Sequence, residues 1–342
     1  MSDISRRLMM TTGLSLAGMA CLSRTALAQG GTTTGPAPTA HVERLDPSLD
    51  ALIDANAPVE VIMDGYQWAE GPVWIGGADG HLLASDPPQN VIHQWSPKTG
   101  GSVWLRPSGY QGPPTPRLRE AGSNGLFLGR GGLLVADSGN RCITQIDLAT
   151  KTRSVIVDRF EGKRLNSPND LCVSPVDGSI YFTDPAYGLT GTEKSPDREL
   201  DFTGVFRVAP DNSISLIGKY GAPNGVGISP DGRRLYHTDR EMGWVVHELD
   251  AQGRSLSSRP FIDRAAQGFK STSGDGFKVD SMGNLWMSGD GISIVNPQGK
   301  RIGVIRITGP AANCELGADG YLYIAANKHL MRVKVKARKI RA

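Results

Sequence analysis

The chain has 342 residues, enough to bury a sizeable core, and one all-β domain can absorb nearly all of it. Lys and Arg number 37 against 34 Asp and Glu, a formal net charge of +3, so a chain this mixed in sign and free of basic clusters gives no support for nucleic-acid binding. Its 43 glycines suit a fold with many tight turns.

In chain order, the first element is a targeting segment. Ser5-Arg6-Arg7-Leu8-Met9 is a twin-arginine pattern. The apolar stretch from Leu8 to Leu22 is too short and too rich in Gly, Ser and Thr for a stable membrane span. Ala26-Leu27-Ala28 is an A-x-A cleavage site. Residues 1–28 therefore read as a twin-arginine signal peptide, handled by the twin-arginine translocation machinery, with a mature periplasmic chain starting at Gln29. A lipoprotein acylated at Cys21 is the weaker alternative, because Gly18-Met19-Ala20 is a poor lipobox. Cleavage removes Arg6, Arg7, Arg24 and Asp3, taking the net charge from +3 to about +1. It leaves Cys142, Cys172 and Cys314, whose odd number and wide spacing build neither a disulfide framework nor a zinc cluster. Cys172 and Cys314 lie in strand-like phrases and read as small buried hydrophobes.

Residues 29–57 read as a linker, Gly/Thr/Pro-rich from Gly30 to Pro38, followed by a lead-in segment. From Val59 the chain alternates short strands with Gly, Pro, Asn and Asp turns, and no convincing amphipathic helix appears. The expected strand pairs include Leu133–Ala136 with Ile143–Asp147 and Val205–Val208 with Ile214–Gly218. Leu235–Thr238 with Val245–Leu249 and Leu285–Ser288 with Ile292–Val295 complete the clear cases. One phrase recurs from Glu70, Asn124, Asn169, Asn224, Asp275 and Asn313: an apolar stretch, a Gly-containing turn, then a second apolar strand. A repeat of roughly 40–55 residues built from short strands marks a propeller blade. The expectation is an all-β, six-bladed β-propeller with four-stranded antiparallel blades over residues 58–336, followed by a solvated basic tail, 337–342.

Such a ring brings the equivalent position of every blade to one central channel. Two carboxylates (Glu70, Asp275) and four amides (Asn124, Asn169, Asn224, Asn313) there form an oxygen-rich register suited to a hard cation such as Ca²⁺. His and Cys are absent from it, which disfavours zinc or copper. Asn or Asp ahead of Gly also makes turns unaided, and that alternative weighs most for Asn313 and Asn124. Glu is no turn former, and Glu70 sits in apolar company between Trp68 and Val73-Trp74, where a carboxylate needs a cation. Asp86, Asp137, Asp184 and Asp239, which close their copies, read as structural anchors. Ser174–Gly178, Ser229–Gly232 and Gly317–Gly320 read as hairpin turns. His237 reads as a satisfied core histidine rather than a channel residue. No G-x-S-x-G elbow, P-loop or dinucleotide fingerprint appears, which speaks against a serine hydrolase.

Two insertions, 107–122 and 185–204, break the rhythm and should rise on the face where the ring opens. Tyr110, Arg117, Arg119 and Tyr187 are their candidates for a substrate rim, with plain surface decoration an equal alternative for each.

The phrases Ala69-Glu70-Gly71-Pro72-Val73-Trp74, Ser167-Pro168-Asn169-Asp170, Phe182-Thr183-Asp184-Pro185-Ala186-Tyr187-Gly188, Pro223-Asn224-Gly225 and Gly274-Asp275-Gly276, taken in order, resemble the gluconolactonase/regucalcin family of six-bladed propellers. The resemblance spans about Val59 to Val335. It implies a divalent cation held by Glu70, Asn169, Asn224 and Asp275, with Ca²⁺ first and Mg²⁺, Mn²⁺ or Zn²⁺ as alternatives. It implies hydrolysis of an aldonolactone, with Asp275 catalytic as base or nucleophile, and with Asn124, Asp170 and Tyr187 orienting the substrate. Gly274 departs from the Pro usual before that Asp, which frees the backbone at Asp275. Two other functions fit the same ring: a phosphotriesterase or aryl-esterase, and a binding propeller whose ion is purely structural.

Overall fold

The computed structural model describes residues 38–269 and 274–340. The twin-arginine pattern, the A-x-A site, Cys21 and Arg341 lie outside the described residues. Six antiparallel sheets follow one another, and their innermost strands contact in circular order, closing a six-bladed propeller. Blade one runs through Glu70–Ile75, His81–Asp86, Val91–Ser96 and Gly100–Leu105. Blades two, three and four begin with Leu126–Gly129, Leu171–Val173 and Pro223–Ile228, and each has four strands. Blade five begins with Phe277–Val279 and blade six with Asn313–Leu316. All four expected strand pairs form. The hairpin glycines Gly178, Gly232 and Gly320 take φ of 72°, 70° and 84°, the left-handed turn geometry that an L side chain resists.

Blade six takes its outer strand from the other end of the chain: Val59–Met63 pairs with His329–Lys334, Val59 opposite Val333. The ring is thus closed by hydrogen bonds between the two ends of the domain. The hydrophobic core lies between neighbouring blades rather than in one central mass. Trp74, Trp95 and Tyr323 fill the blade six–one seam, and Trp244, Phe277 and Met287 the blade four–five seam.

Two boundary expectations change. The lead-in segment belongs to the fold: Ala40–Arg44 adds a fifth strand to blade five, and Leu49, Leu52 and Ile53 are buried between blades five and six. Apolar residues spaced for burial, not the polar character of the preceding linker, decide its fate. The basic tail is not simply solvated. Ala337 is buried, the Arg338 carbonyl accepts the Ser281 N–H at 2.8 Å, and Lys339 pairs with buried Glu315 at 2.5 Å.

Among the described residues the only helical segments are two short 3-10 turns, Pro47–Ala51 and Thr192–Lys194, and no helix is long and apolar enough to cross a membrane. Cys142, Cys172 and Cys314 are free and buried. His237 is buried against Tyr220 and His247, away from the channel, and burial lowers its pKa to about 3.

Candidate metal and substrate site

Strand pairing fixes which residues share a level of the channel. Leu126 faces Val135, Leu171 faces Phe182, Val226 faces His237, and Phe277 faces Met287. Carried two residues back, these registers set Asn124, Asn169 and Asp275 level with one another; blades four and one carry a register shift at this point, where Pro223 pairs with Asp239 and Glu70 with Ser85, and Asn224 and Glu70 join the others by lining the same cavity. In blade six, however, Asn313 faces Ala325, which makes Ala312 the level residue. Backbone bonds agree: Asn124, Asn169 and Ala312 donate their N–H to Ala136, Thr183 and Ala325 at 2.9, 2.9 and 2.8 Å. Asn313 therefore sits one step deeper, the position that Asp170 takes in blade three. The sequence did carry a sign of this. In blades two to five the first core residue comes two places after the ring residue, whereas Cys314 directly follows Asn313.

The repeat also shows how the ring is held. Asp86 accepts the Gln67 and Trp68 N–H at 2.8 and 3.3 Å, and Asp184 accepts those of Asn166 and Ser167 at 2.8 and 2.9 Å. Asp239 accepts the Ala222 N–H at 3.2 Å. Each carboxylate so ties down the segment that enters its own ring residue, confirming these aspartates as anchors. Asp137 differs, binding Asn140 instead. A second device escaped sequence reading. The hydroxyl just before the anchor position donates to the ring-level carbonyl of the next blade: Thr183 to Asn224, Thr238 to Asp275 at 3.4 Å, and Ser288 to Ala312 at 2.8 Å.

The glycines that follow the ring residues serve close approach rather than turning alone. A Cβ on Gly125 would lie 2.6 Å from Asp170 Oδ1, on Gly225 2.4 Å from the Asp275 carbonyl, and on Gly276 2.1 Å from Asn313 Nδ2. The inner strands crowd one another at this depth, and no side chain fits between them.

Glu70, Asn124, Asn169, Asn224 and Asp275 line a cavity of about 510 Å³, with Arg119, Glu120 and Tyr187 on its wall. The two insertions meet to form that wall. Arg119 N–H and Glu120 N–H donate to the Gly188 carbonyl at 2.9 and 3.2 Å, Thr190 N–H donates to Arg117 at 2.9 Å, and Arg119 Nε donates to the Tyr187 carbonyl at 2.7 Å. Tyr110 and Arg117 face a separate hollow, where Arg117 pairs with Asp197 at 3.2 Å, so they are not part of this rim. Asp170 does not line the cavity either. It is buried one step below the ring, where its Oδ1 accepts the Leu171 N–H at 2.9 Å. Glu120 was overlooked because nothing in a Pro-rich insertion marks which charged residue will fold inward.

Glu70 is only 3 % exposed, and its Oε2 accepts the Gly71 N–H at 2.9 Å and Asn313 Nδ2 at 3.3 Å. Asp275 is half-buried, and its Oδ1 accepts the Gly276 N–H at 3.1 Å. Burial first, then repulsion from Asp275, pushes the Glu70 carboxyl well above the usual carboxylate range. Burial likewise raises Asp275, against the opposing pull of the Gly276 N–H and the Asn224 amide. A buried and a half-buried carboxyl that resist ionisation side by side are what a divalent cation relieves. Among the described residues no group of three or more His, Cys, Asp or Glu side chains converges as a metal site. A cation here would therefore complete its shell with the amide oxygens of Asn169 and Asn224, a donor set that fits a hard ion.

A family model described as "SMP-30/Gluconolactonase/LRE-like region" matches residues 68–328. The chain is 41% identical over 312 residues to a gluconolactonase of Zymomonas mobilis, covering 86% of each chain. A solved gluconolactonase from Xanthomonas campestris superposes with a TM-score of 0.74 at 28% identity, over 88% of this chain and 99% of that one. A calcium-binding regucalcin from Agrobacterium tumefaciens matches with a TM-score of 0.62 at 18% identity, over 84% and 98%, a likeness of fold alone.

Proposed function

Because the chain belongs to the SMP-30/gluconolactonase/LRE-like family, we propose that it is a lactonase that opens a sugar lactone such as glucono-1,5-lactone to the free acid, with one divalent cation, Ca²⁺ first, at Glu70, Asn169, Asn224 and Asp275. One observation carries the reading: in a chain 41% identical to a gluconolactonase, these four side chains line one cavity. When bound, such a cation supplies a Lewis acid for the lactone carbonyl and the oxyanion that follows.

The chain's own residues do the remaining work. Asp275 is the more open of the two ring carboxylates, so it takes the proton from the attacking water. The water oxygen bonds to the carbonyl carbon, the ring C–O bond breaks, and the proton held on Asp275 passes to the leaving alkoxide. Glu70, buried and held by Gly71 and Asn313, binds without exchanging protons. The Asn124 amide, the Tyr187 hydroxyl and Glu120 orient sugar hydroxyls at the wall. The paired insertions limit access of water from the side.

The test is pH-stat turnover of glucono-1,5-lactone after EDTA treatment and re-addition of Ca²⁺, Mg²⁺, Mn²⁺ or Zn²⁺, beside Asp275→Asn. Acid release restored by a metal and abolished by the substitution supports the proposal. Release no faster than buffer with every metal refutes it, and paraoxon and aryl-ester assays then separate an esterase from a binding propeller. Export belongs to the same proposal: the mature protein should be recovered from the periplasm with Gln29 as its N-terminus, and an uncleaved cytoplasmic chain would refute that part.

A further inference from the structure

Below the ring the channel holds charges that the reaction just described does not use. On the inner strands, the residues three places past the ring level include Phe127, Cys172, Gly227, Lys278 and Glu315, and these five line a small cavity of about 40 Å³ lower in the channel. Two of them are charged. Glu315 is buried, and Lys339 of the C-terminal segment pairs with it at 2.5 Å. Lys278 is tied upward instead. Its Nζ donates to Asn313 Oδ1 at 3.1 Å and to the Phe277 carbonyl at 3.3 Å, while Asn313 Nδ2 donates to Glu70 Oε2 at 3.3 Å. One amide thus links the ammonium to a proposed cation ligand. Beside them, Asp170 is 2 % exposed, and its Oδ2 has no hydrogen-bond partner among the described residues.

The charges balance in a particular way. Glu120 is matched by Arg119 at 2.5 Å and Glu315 by Lys339. Among the residues lining the two cavities, together with Asp170, what remains once the carboxyls are ionised is Glu70, Asp275 and Asp170 against Lys278, three negative groups and one positive. The deficit of two is the charge of one divalent cation. Burial alone would lower the Lys278 pKa, yet Asp170 and Glu315 outweigh it and hold the ammonium above its ordinary value.

We propose that Lys278 is a fixed internal cation of the channel, a positioning residue that offsets Asp170, orients Glu70 through Asn313, and so sets the ring to accept one divalent ion and no more. The proposal rests on the metal-site reading above. A cation of higher charge, or a second divalent ion, becomes favourable only when the ammonium is gone.

Calorimetric titration of the mature protein with Ca²⁺ alone and with Tb³⁺ alone tests this, using the parent, Lys278→Met and Lys278→Arg. The parent and Lys278→Arg should bind one Ca²⁺ with the same preference between the two ions. Lys278→Met, similar in shape but uncharged, should shift the preference toward Tb³⁺ at least tenfold or take a second Ca²⁺. A folded Lys278→Met with unchanged preference and stoichiometry overturns the proposal. If Lys278→Met does not fold, Asp170→Asn makes the complementary change. It should weaken Ca²⁺ binding at least tenfold although Asp170 does not line the cavity, and unchanged binding overturns the proposal equally. A parent protein that binds neither ion brings down the metal-site reading itself, an outcome distinct from a parent that binds with no response to either substitution.

Discussion

Replacing Thr183 by Val isolates the hydroxyl row that pins the ring. Thr183 is fully buried; its Oγ1 donates to the Asn224 carbonyl and accepts the Asp170 N–H at 3.1 Å. Val keeps the shape and loses both bonds, leaving a buried carbonyl and a buried N–H unpaired. Each unpaired group costs about 1–3 kcal/mol, so the loss should be about 4 kcal/mol. Thr183→Ser keeps the hydroxyl and gives up one methyl, about 1 kcal/mol. At roughly 3 °C per kcal/mol for a chain of this class, the melting temperature should fall by about 12 °C for Val and about 3 °C for Ser. The functional consequence separates the two further. With its carbonyl released, Asn224 loses its fixed place beside Asp275, and Ca²⁺ affinity by calorimetry should fall about tenfold for Val, or about 1.4 kcal/mol, and little for Ser. If Val and Ser behave alike in both measurements, the hydroxyl-to-carbonyl bond does not position the ring and the reasoning is wrong.

Four other outcomes follow from the same geometry. Glu70→Gln should lower Ca²⁺ affinity by at least about 100-fold while changing melting of the cation-free protein little, since Gln matches the shape of the neutral carboxyl that the cation-free site favours; a calorimetric titration that matches the parent would exclude Glu70 as a ligand. Protons and the cation compete for Glu70 and Asp275, whose raised carboxyls favour the neutral form, so Ca²⁺ binding should weaken as pH falls through values above the ordinary carboxylate range of about 4 and should release protons. By the same linkage, a raised folded-state carboxyl stabilises below its unfolded value and loses that contribution as pH rises through the folded one. The cation-free protein should therefore melt lower near pH 8 than near pH 5, by about a few degrees, and Ca²⁺ should remove the difference; a cation-free melting curve flat with pH would count against it. Lys339→Ala leaves buried Glu315 unpaired and should cost about 3 kcal/mol in a chemical denaturation measurement, whereas a solvated tail would give no change.

What the sequence made legible was whatever repeats. The six phrases announced blades, and polar residues opening each phrase announced a channel, because the period-2 geometry of a strand forces equivalent positions of every blade onto equivalent faces. The closing aspartates Asp86, Asp184 and Asp239 were legible as anchors for the same reason, whereas Asp137 holds Asn140 in its own turn. Reading failed where position within the repeat, rather than residue type, decides. Asn313 has the right chemistry one step too deep, and only the distance to its first core residue reveals it. Asp170 follows a ring residue and so looks like a partner to the substrate, yet the strand's alternation turns it beneath the floor. Glycine after the ring residue looks like turn chemistry, but its neighbours 2.1–2.6 Å from a would-be Cβ show that adjacent blades touch there. Non-local contacts stayed hidden altogether: the lead-in strand on blade five, the meeting of the two insertions, and Lys339 on Glu315 each join segments far apart in the chain.

Lys278 shows how the two kinds of information combine. A lysine between Phe277 and Val279 fits the alternation of a strand, which turns it away from the core that its two neighbours enter, and on that other face it has to find either solvent or a partner. Sequence alone cannot say which. The register answers by directing it into the channel, and its bond to Asn313 makes it a neighbour of Glu70 at one remove. A channel with only the ring charges would leave Asp170 uncompensated beneath the site and would draw in a second cation. An ammonium built into the strand does the same neutralising work without exchange, from a position outside the lining of the substrate cavity.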